Sequence, residues 1–173
     1  MSEYYEKKYI KESNSQEWYG CNENEVRKSA FRAINLANQT VPANTFVKVL
    51  YQLEEFDLAN EYNPANSTFI PKKRGVYLVL GTIGFSPNNI NLAYRTRVEI
   101  RVNGNPAIAI DNDFFGEGLN FANAVNVSTI LELEAGDRVE IFAQNSIAGI
   151  IPANNNGAIS THFEAARFPS PAE

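Results

Sequence analysis

The acidic segment at residues 111–113, followed by Gly116 and Glu117, gathers hard oxygen ligands within a few positions. Clustered carboxylate and amide oxygens suit calcium. The spacing does not follow an EF-hand loop, because Phe115 occupies a ligand position and Ala122 stands where the bidentate glutamate belongs. A solvated acidic loop is the alternative interpretation. The candidate calcium ligands are Asp111, Asp113 and Glu117.

Residues for catalysis are sparse. His162 is the only histidine, so one chain cannot build a zinc site from several imidazoles. A Ser-His-Asp triad usually comes with a Gly-x-Ser-x-Gly turn, which the sequence lacks. The glycines Gly81, Gly84 and Gly104 do not form a phosphate-binding pattern. We therefore predict no catalytic residues, no cofactor beyond the candidate calcium, and no enzyme activity; a metal enzyme of the cupin kind would need clustered histidines and acids.

Composition narrows the classes of partner. The 173 residues fit one domain, with 44% hydrophobic and 20% charged residues. The net charge of -5 provides no basic field for nucleic acid. No run of 18 apolar residues occurs and the N-terminus is charged, so we expect neither membrane insertion nor a signal peptide. Cys21 is the only cysteine, which excludes an intrachain disulfide.

Residues 1–28 differ in composition from the rest of the chain. They are rich in charge and in aromatic residues, among them Trp18 and Tyr19, and they lack clean alternation. Aromatic side chains with a polar tip suit docking on another surface. We predict an N-terminal arm or tether over residues 1–28 and a folded domain over residues 29–173, with a floppy tail as the alternative for the arm.

From residue 29 onward the hydrophobic pattern has a period near two, interrupted by Asn, Gly, Pro and Asp clusters. The strongest hairpin signal is Asn103-Gly104. About eight strands separated by evenly spaced turns are typical of an all-β sandwich or jelly roll. The predicted strands cover residues 30–36, 45–53, 75–85, 92–102, 107–110, 125–133, 138–144 and 158–167.

Two motifs connect this pattern to a known family. The first motif is a set of spaced residues whose last three members lie in the stretch from Phe69 to Leu78: Tyr51, Asp57, Tyr62, Phe69, Gly75 and Tyr77. The second motif is the run Leu131-Glu132-Leu133-Glu134-Ala135-Gly136-Asp137-Arg138-Val139. Together with Phe163 they resemble the C1q and tumour-necrosis-factor-like jelly rolls over nearly the whole domain. Tyr51 replaces the usual Phe, and Val79 and Gly81 stand where that family prefers aromatics.

The resemblance implies an all-β jelly-roll β-sandwich that assembles as a homotrimer, with one sheet facing a threefold axis. The lack of a collagen-like repeat and the Asn-rich composition look more like the bacterial and bacteriophage members, found on spore surfaces and virions. We expect Gly75 to have a positive φ and Gly136-Asp137 to close a hairpin. Phe69 and Phe142 are expected in the core. The residues expected at the trimer interface or in the core are Phe31, Tyr77, Val127 and Phe163.

Three functional hypotheses follow. The first is a non-enzymatic structural or recognition module on a bacterial spore or phage virion, attached through the arm and binding through loops at one end of the sandwich. The second is a soluble head that binds a carbohydrate or another ligand such as a receptor, with calcium as the assisting ion. The third, an enzyme on a jelly-roll scaffold, conflicts with the single histidine.

Overall fold

A computed structural model describes residues 29–154 and 160–169. The predicted arm at residues 1–28 lies outside the described residues. The described chain is all-β, as the alternating pattern predicts. Its thirteen strands are β1 (Ala30–Ile34), β2 (Gln39–Val41), β3 (Val47–Lys48), β4 (Leu53–Asp57), β5 (Tyr62–Asn63), β6 (Thr68–Phe69), β7 (Gly75–Pro87), β8 (Tyr94–Val102), β9 (Asn105–Phe115), β10 (Asn123–Leu133), β11 (Val139–Asn145), β12 (Gly149–Ile151) and β13 (His162–Arg167).

The strands form two sheets that pack as a sandwich. In the seven-stranded sheet, β7 pairs with β10, β12 and β13, while β13 continues to β1 and β4, and β12 pairs with β2. In the six-stranded sheet, β8 lies between β9 and β11, and β11 also pairs with β3 and β6. All these pairings are antiparallel. The chain crosses repeatedly from one sheet to the other, which is the jelly-roll arrangement.

Strand alternation explains the core. Along β7, Tyr77 and Val79 are buried between the sheets, whereas Val76 and Leu78 point to the opposite face. Phe31 of β1 stacks on Tyr62 with ring centroids 4.6 Å apart and meets the ring of Phe163 edge-on at 5.0 Å. Phe69 joins the same cluster, 5.0 Å from Phe31. Aromatic residues spaced widely in the sequence therefore form one continuous core.

Residues 45–53 do not form the single strand that their apolar pattern predicts. Only β3 and the first residue of β4 fall in this range. The side chain of Gln39 explains the break: its Nε2 donates to the Lys48 carbonyl at 2.7 Å and its Oε1 accepts from the Leu50 amide at 3.0 Å. A side-chain amide thus takes the place of a neighbouring strand. The last predicted strand begins at His162, and residues 155–159 lie outside the described ranges.

One turn prediction is confirmed, and the predictions for Gly136 and Gly75 are wrong. Asn103 and Gly104 both have positive φ, 54° and 77°, and join β8 to β9 as predicted. Gly136 also has positive φ, but it connects β10 of one sheet to β11 of the other, so the predicted hairpin is wrong. Gly75 does not have the positive φ that was predicted for it. Its lack of a side chain instead leaves room for the guanidinium of Arg167.

Candidate functional site

The outer face of the seven-stranded sheet carries exposed aliphatic side chains. Val76 and Leu78 of β7 are 39% and 38% exposed, and Ile130 of β10 is 60% exposed. Leu78 pairs with Ile130 on one side and with Ala166 of β13 on the other, so these three residues form one row across the sheet. Leu80 extends the patch along β7. We call these residues, Val76, Leu78, Leu80, Ile130 and Ala166, the aliphatic face.

A charged network lies beside the aliphatic face on the same side of the sheet. The Nε of Arg32 lies 3.1 Å from a carboxylate oxygen of Glu55 and 2.9 Å from one of Glu164. The Nδ1 of His162 lies 3.0 Å from the same Glu164 carboxylate. Hydrogen bonding from His162, together with the charge of Arg32, lowers the pKa of Glu164 although burial opposes the shift. The only histidine therefore contacts a carboxylate of this network.

The outer face of the six-stranded sheet is different, because its charges are paired within the chain. The carboxylate of Glu99, which is fully buried, receives Arg97 at 2.7 Å and Arg101 at 2.6 Å. The guanidinium of Arg101 lies 3.8 Å from the ring centroid of Phe142 and 4.8 Å from that of Phe46. Phe142 consequently lies on this outer face beneath Arg101, and its predicted place in the core is wrong.

The four residues expected at the interface or in the core all lie in the core of a single chain. Phe31, Tyr77, Val127 and Phe163 are each at most 3% exposed. A side chain enclosed by its own chain cannot also meet a second copy, so a threefold contact must use other residues. The sequence carried a signal for the aliphatic face that the prediction missed: β7 is apolar at both odd and even positions, as in strands covered on both faces.

The candidate calcium ligands do not share a loop. Asp111 and Asp113 lie within β9 and face the interior of the sandwich, on the same side as Phe115, which packs against Tyr94. The intervening residue faces outward, and Glu117 is exposed in the turn that follows. The predicted acidic loop is therefore wrong in its local structure. In the described part of the chain, no group of three or more His, Cys, Asp or Glu side chains is arranged to hold a metal ion.

Two loops form one end of the sandwich. They connect β7 to β8 at residues 88–93 and β9 to β10 at residues 116–122, and the Gly118 amide donates to the Ile90 carbonyl at 2.6 Å. Phe121 is 63% exposed and Leu92 is 47% exposed. We call these two loops the loop end.

Within the described ranges, no helix is long and apolar enough to cross a membrane.

No protein-family model matches the sequence, and no curated protein matches it significantly. Solved structures do match the fold. An Eiger TNF from S. frugiperda aligns with a TM-score of 0.56 at 10% identity, over 85% of this chain and 96% of that one. Murine APRIL aligns with a TM-score of 0.52 at 11% identity, over 82% and 99%.

The globular domain of zebrafish complement 1qA aligns with a TM-score of 0.50 at 16% identity, over 80% of this chain and 94% of that one. Identities this low establish the fold alone. The structural alignments agree with the all-β sandwich described above. The described chain is therefore a jelly-roll domain of the C1q and tumour-necrosis-factor-like fold.

Proposed function

We propose that this protein is a non-enzymatic homotrimer that acts as a structural or recognition module on a bacterial spore or a phage virion. The aliphatic face is the observation that carries the proposal. It lies on the outer side of the seven-stranded sheet, the kind of surface that the C1q and tumour-necrosis-factor resemblance places toward a threefold axis. The opposite sheet, with its charges paired internally, stays exposed to solvent.

Burial of the aliphatic face provides the driving force. Fully covering an exposed Leu, Ile or Val side chain stabilises an assembly by about 1.5–3 kcal/mol. Val76, Leu78 and Ile130 are each partly exposed in the single chain, and a threefold contact covers three copies of each. The adjacent network of Arg32, Glu55 and Glu164 is already paired within one chain, so it does not oppose association by bringing an unpaired charge into the interface.

The loop end is the proposed recognition surface. Loops on a rigid sandwich are common binding elements, and exposed aromatic side chains are frequent anchors at interfaces. Phe121 and Leu92 supply such apolar groups at one end of the molecule. Attachment to the spore or virion is assigned to residues 1–28, whose aromatic and charged composition suits docking.

The assembly is tested by light scattering on the purified full-length protein. Ile130→Glu places a charge in the aliphatic face and should convert a trimer into a folded monomer. Ile110→Glu is the matched control, because Ile110 is 41% exposed on a strand of the other sheet. It should remain a trimer. A wild-type monomer at micromolar concentration, or equal effects of both substitutions, contradicts the proposed interface.

A soluble glycan-binding or receptor-binding head is the second candidate function. The exposed ring of Phe121 at the loop end favours it, since aromatic faces contact sugars and protein ligands alike. A glycan array, with and without chelator, tests the trimer for such binding. Binding that disappears in Phe121→Ala, with assembly unchanged, supports a soluble head. Labelling of spores or virions by an antibody against the protein supports the surface module instead.

A further inference from the structure

The interior of the sandwich contains polar atoms that have no partner. Asn145 of β11 is fully buried, and neither its Oδ1 nor its Nδ2 makes a hydrogen bond. Thr96 of β8 is also fully buried, with an unpaired Oγ1. Leaving such a group unsatisfied costs about 1–3 kcal/mol. Two neighbouring residues with this property indicate that something outside the chain completes their bonding.

The strand register brings these residues together with carboxylates. Asn145 pairs with Thr96, and Thr96 pairs with Asp113, so the three form one row across β11, β8 and β9. All three face the interior. Asp111 lies two residues along β9 on the same side. Within the described part of the chain, neither carboxylate makes a hydrogen bond or an ion pair.

The row places oxygen-bearing side chains on three adjacent strands. Neighbouring strands are about 4.8 Å apart, so the backbones of the two outer residues of the row are separated by roughly 9.6 Å. Side chains stand roughly perpendicular to a sheet, so the three side chains of the row project to the same side. Calcium binds oxygen ligands at about 2.3–2.6 Å in a flexible geometry, which suits ligands from adjacent strands.

We propose that this row is a calcium site between the two sheets. Its oxygen ligands come from the carboxylates of Asp113 and Asp111, the amide Oδ1 of Asn145 and the hydroxyl of Thr96. Hard oxygen donors with two negative charges suit Ca²⁺, whereas Mg²⁺ demands a tighter octahedral set at about 2.0–2.1 Å. The site differs from an acidic loop because Glu117 takes no part in it.

Terbium luminescence provides a direct probe. Tb³⁺ replaces Ca²⁺ at oxygen sites and emits when a nearby tyrosine is excited. Tyr94 occupies the adjacent interior position of β8, two residues from Thr96. Full-length protein stripped with chelator should show saturable Tb³⁺ emission that Ca²⁺ displaces and equal Mg²⁺ does not. Calcium should also raise the Tm of the stripped protein, because a ligand that binds only the folded state stabilises it.

Three variants locate the ion. Asp113→Asn should weaken Ca²⁺ binding by at least about tenfold, since ligand charge sets affinity. Thr96→Val should reduce the calcium-induced rise in Tm while leaving the stripped protein at least as stable as wild type, because an unpaired hydroxyl is replaced by a methyl of similar shape. Glu117→Gln is the matched acidic control and should bind like wild type.

Several outcomes would overturn the inference. Absence of saturable Tb³⁺ emission excludes a cation site. Loss of binding in Glu117→Gln but not in Asp113→Asn moves the ion to the exposed turn. A calcium response that is unchanged in Thr96→Val and Asp113→Asn would mean that the ion binds elsewhere. The buried polar atoms would then form their hydrogen bonds with bound water. Light scattering of the same samples reports assembly separately, so failure of the calcium site does not count against the trimer.

Discussion

Gly81 lies where β7 approaches β11 of the opposite sheet. A Cβ at this position would lie 2.7 Å from Cδ1 and 2.9 Å from Cγ1 of Ile141. Ile141 therefore occupies the space that an aromatic side chain at position 81 would take in the related family pattern. We expect Gly81→Ala to lower the free energy of unfolding by about 1–3 kcal/mol through overpacking. Chemical denaturation of the purified protein measures the change.

Gly116→Ala is the matched control, because a Cβ there meets nothing within 4 Å and its φ is not positive. It should change stability by less than about 0.5 kcal/mol. Shortening the opposing side chain with Ile141→Val should recover part of the loss in the double variant. A Gly81→Ala protein as stable as wild type would show that the two sheets can accommodate a methyl group at this point without loss of stability.

Glu140 offers a pH-dependent test at the same scale. Its Oε1 lies 2.6 Å from Nζ of Lys48. Burial raises the pKa of Glu140, but the hydrogen bond and charge of Lys48, helped by Thr68 and Arg138, bring the net pKa below the ordinary 4.5. A carboxyl whose pKa is lower in the folded state stabilises the fold above its unfolded pKa. That stabilisation is lost as the pH falls below 4.5 and through the lowered value.

We accordingly expect Glu140→Gln to cost about 1 kcal/mol at pH 7, a value reduced for partial solvent screening, and almost nothing near pH 3. Denaturant titrations at the two pH values measure the difference. Glu132→Gln provides the comparison, since Glu132 and its partner Arg74 are 61% and 56% exposed. An equal cost for Glu132→Gln, or a cost at Glu140 that does not change with pH, would contradict the assignment.

At the scale of elements, the β8–β9 turn is tied to the connection that crosses from β10 to β11. Asn103 donates from Nδ2 to the Asp137 carboxylate at 2.8 Å, and its Oδ1 accepts from the Arg138 amide at 2.9 Å. Asp137 also accepts from the Glu134 amide at 2.8 Å. The Gly-Asp motif therefore fastens one sheet's hairpin to the crossover between the sheets.

A double-mutant cycle measures this tie. Asn103→Gly keeps the positive φ of the turn and removes the amide, while Asp137→Ala removes the carboxylate. We expect a coupling energy of about 0.5–1 kcal/mol between the two substitutions in chemical denaturation. Additive effects would mean that the two turns act independently. Asn105→Ala, in the same hairpin but outside the bonded pair, should show no coupling with Asp137→Ala.

At the scale of the whole molecule, the arm at residues 1–28 should be dispensable for trimerisation and required for attachment. The aliphatic face and the core formed by the described residues lie after it in the sequence. A chain that begins at Ser29 should remain a trimer in light scattering and lose co-sedimentation with spores or virions. Monomers from the shortened chain would place the arm in the assembly. Normal attachment would move the tether to the jelly roll itself.

Local pattern alone was enough to predict the all-β class, the Asn103-Gly104 turn and most long strands. Alternation with a period of two depends only on the geometry of an extended chain, and positive φ depends on the turn residue itself. The same alternation predicted that Phe69, Tyr77 and Phe163 point inward, and all three are buried. It failed at residues 45–53, where the side chain of Gln39 replaces a strand partner, and at Phe142, where apolar character suits a cation stack as well as a core.

Only the tertiary structure decided which residues meet across strands. It showed that the predicted interface residues are enclosed by one chain, that Val76, Leu78 and Ile130 form the exposed face, and that β10 and β11 belong to different sheets. It also aligned Asn145 and Thr96 with Asp113. Such rows join residues far apart in the sequence, and their register depends on packing between sheets, which no local pattern encodes.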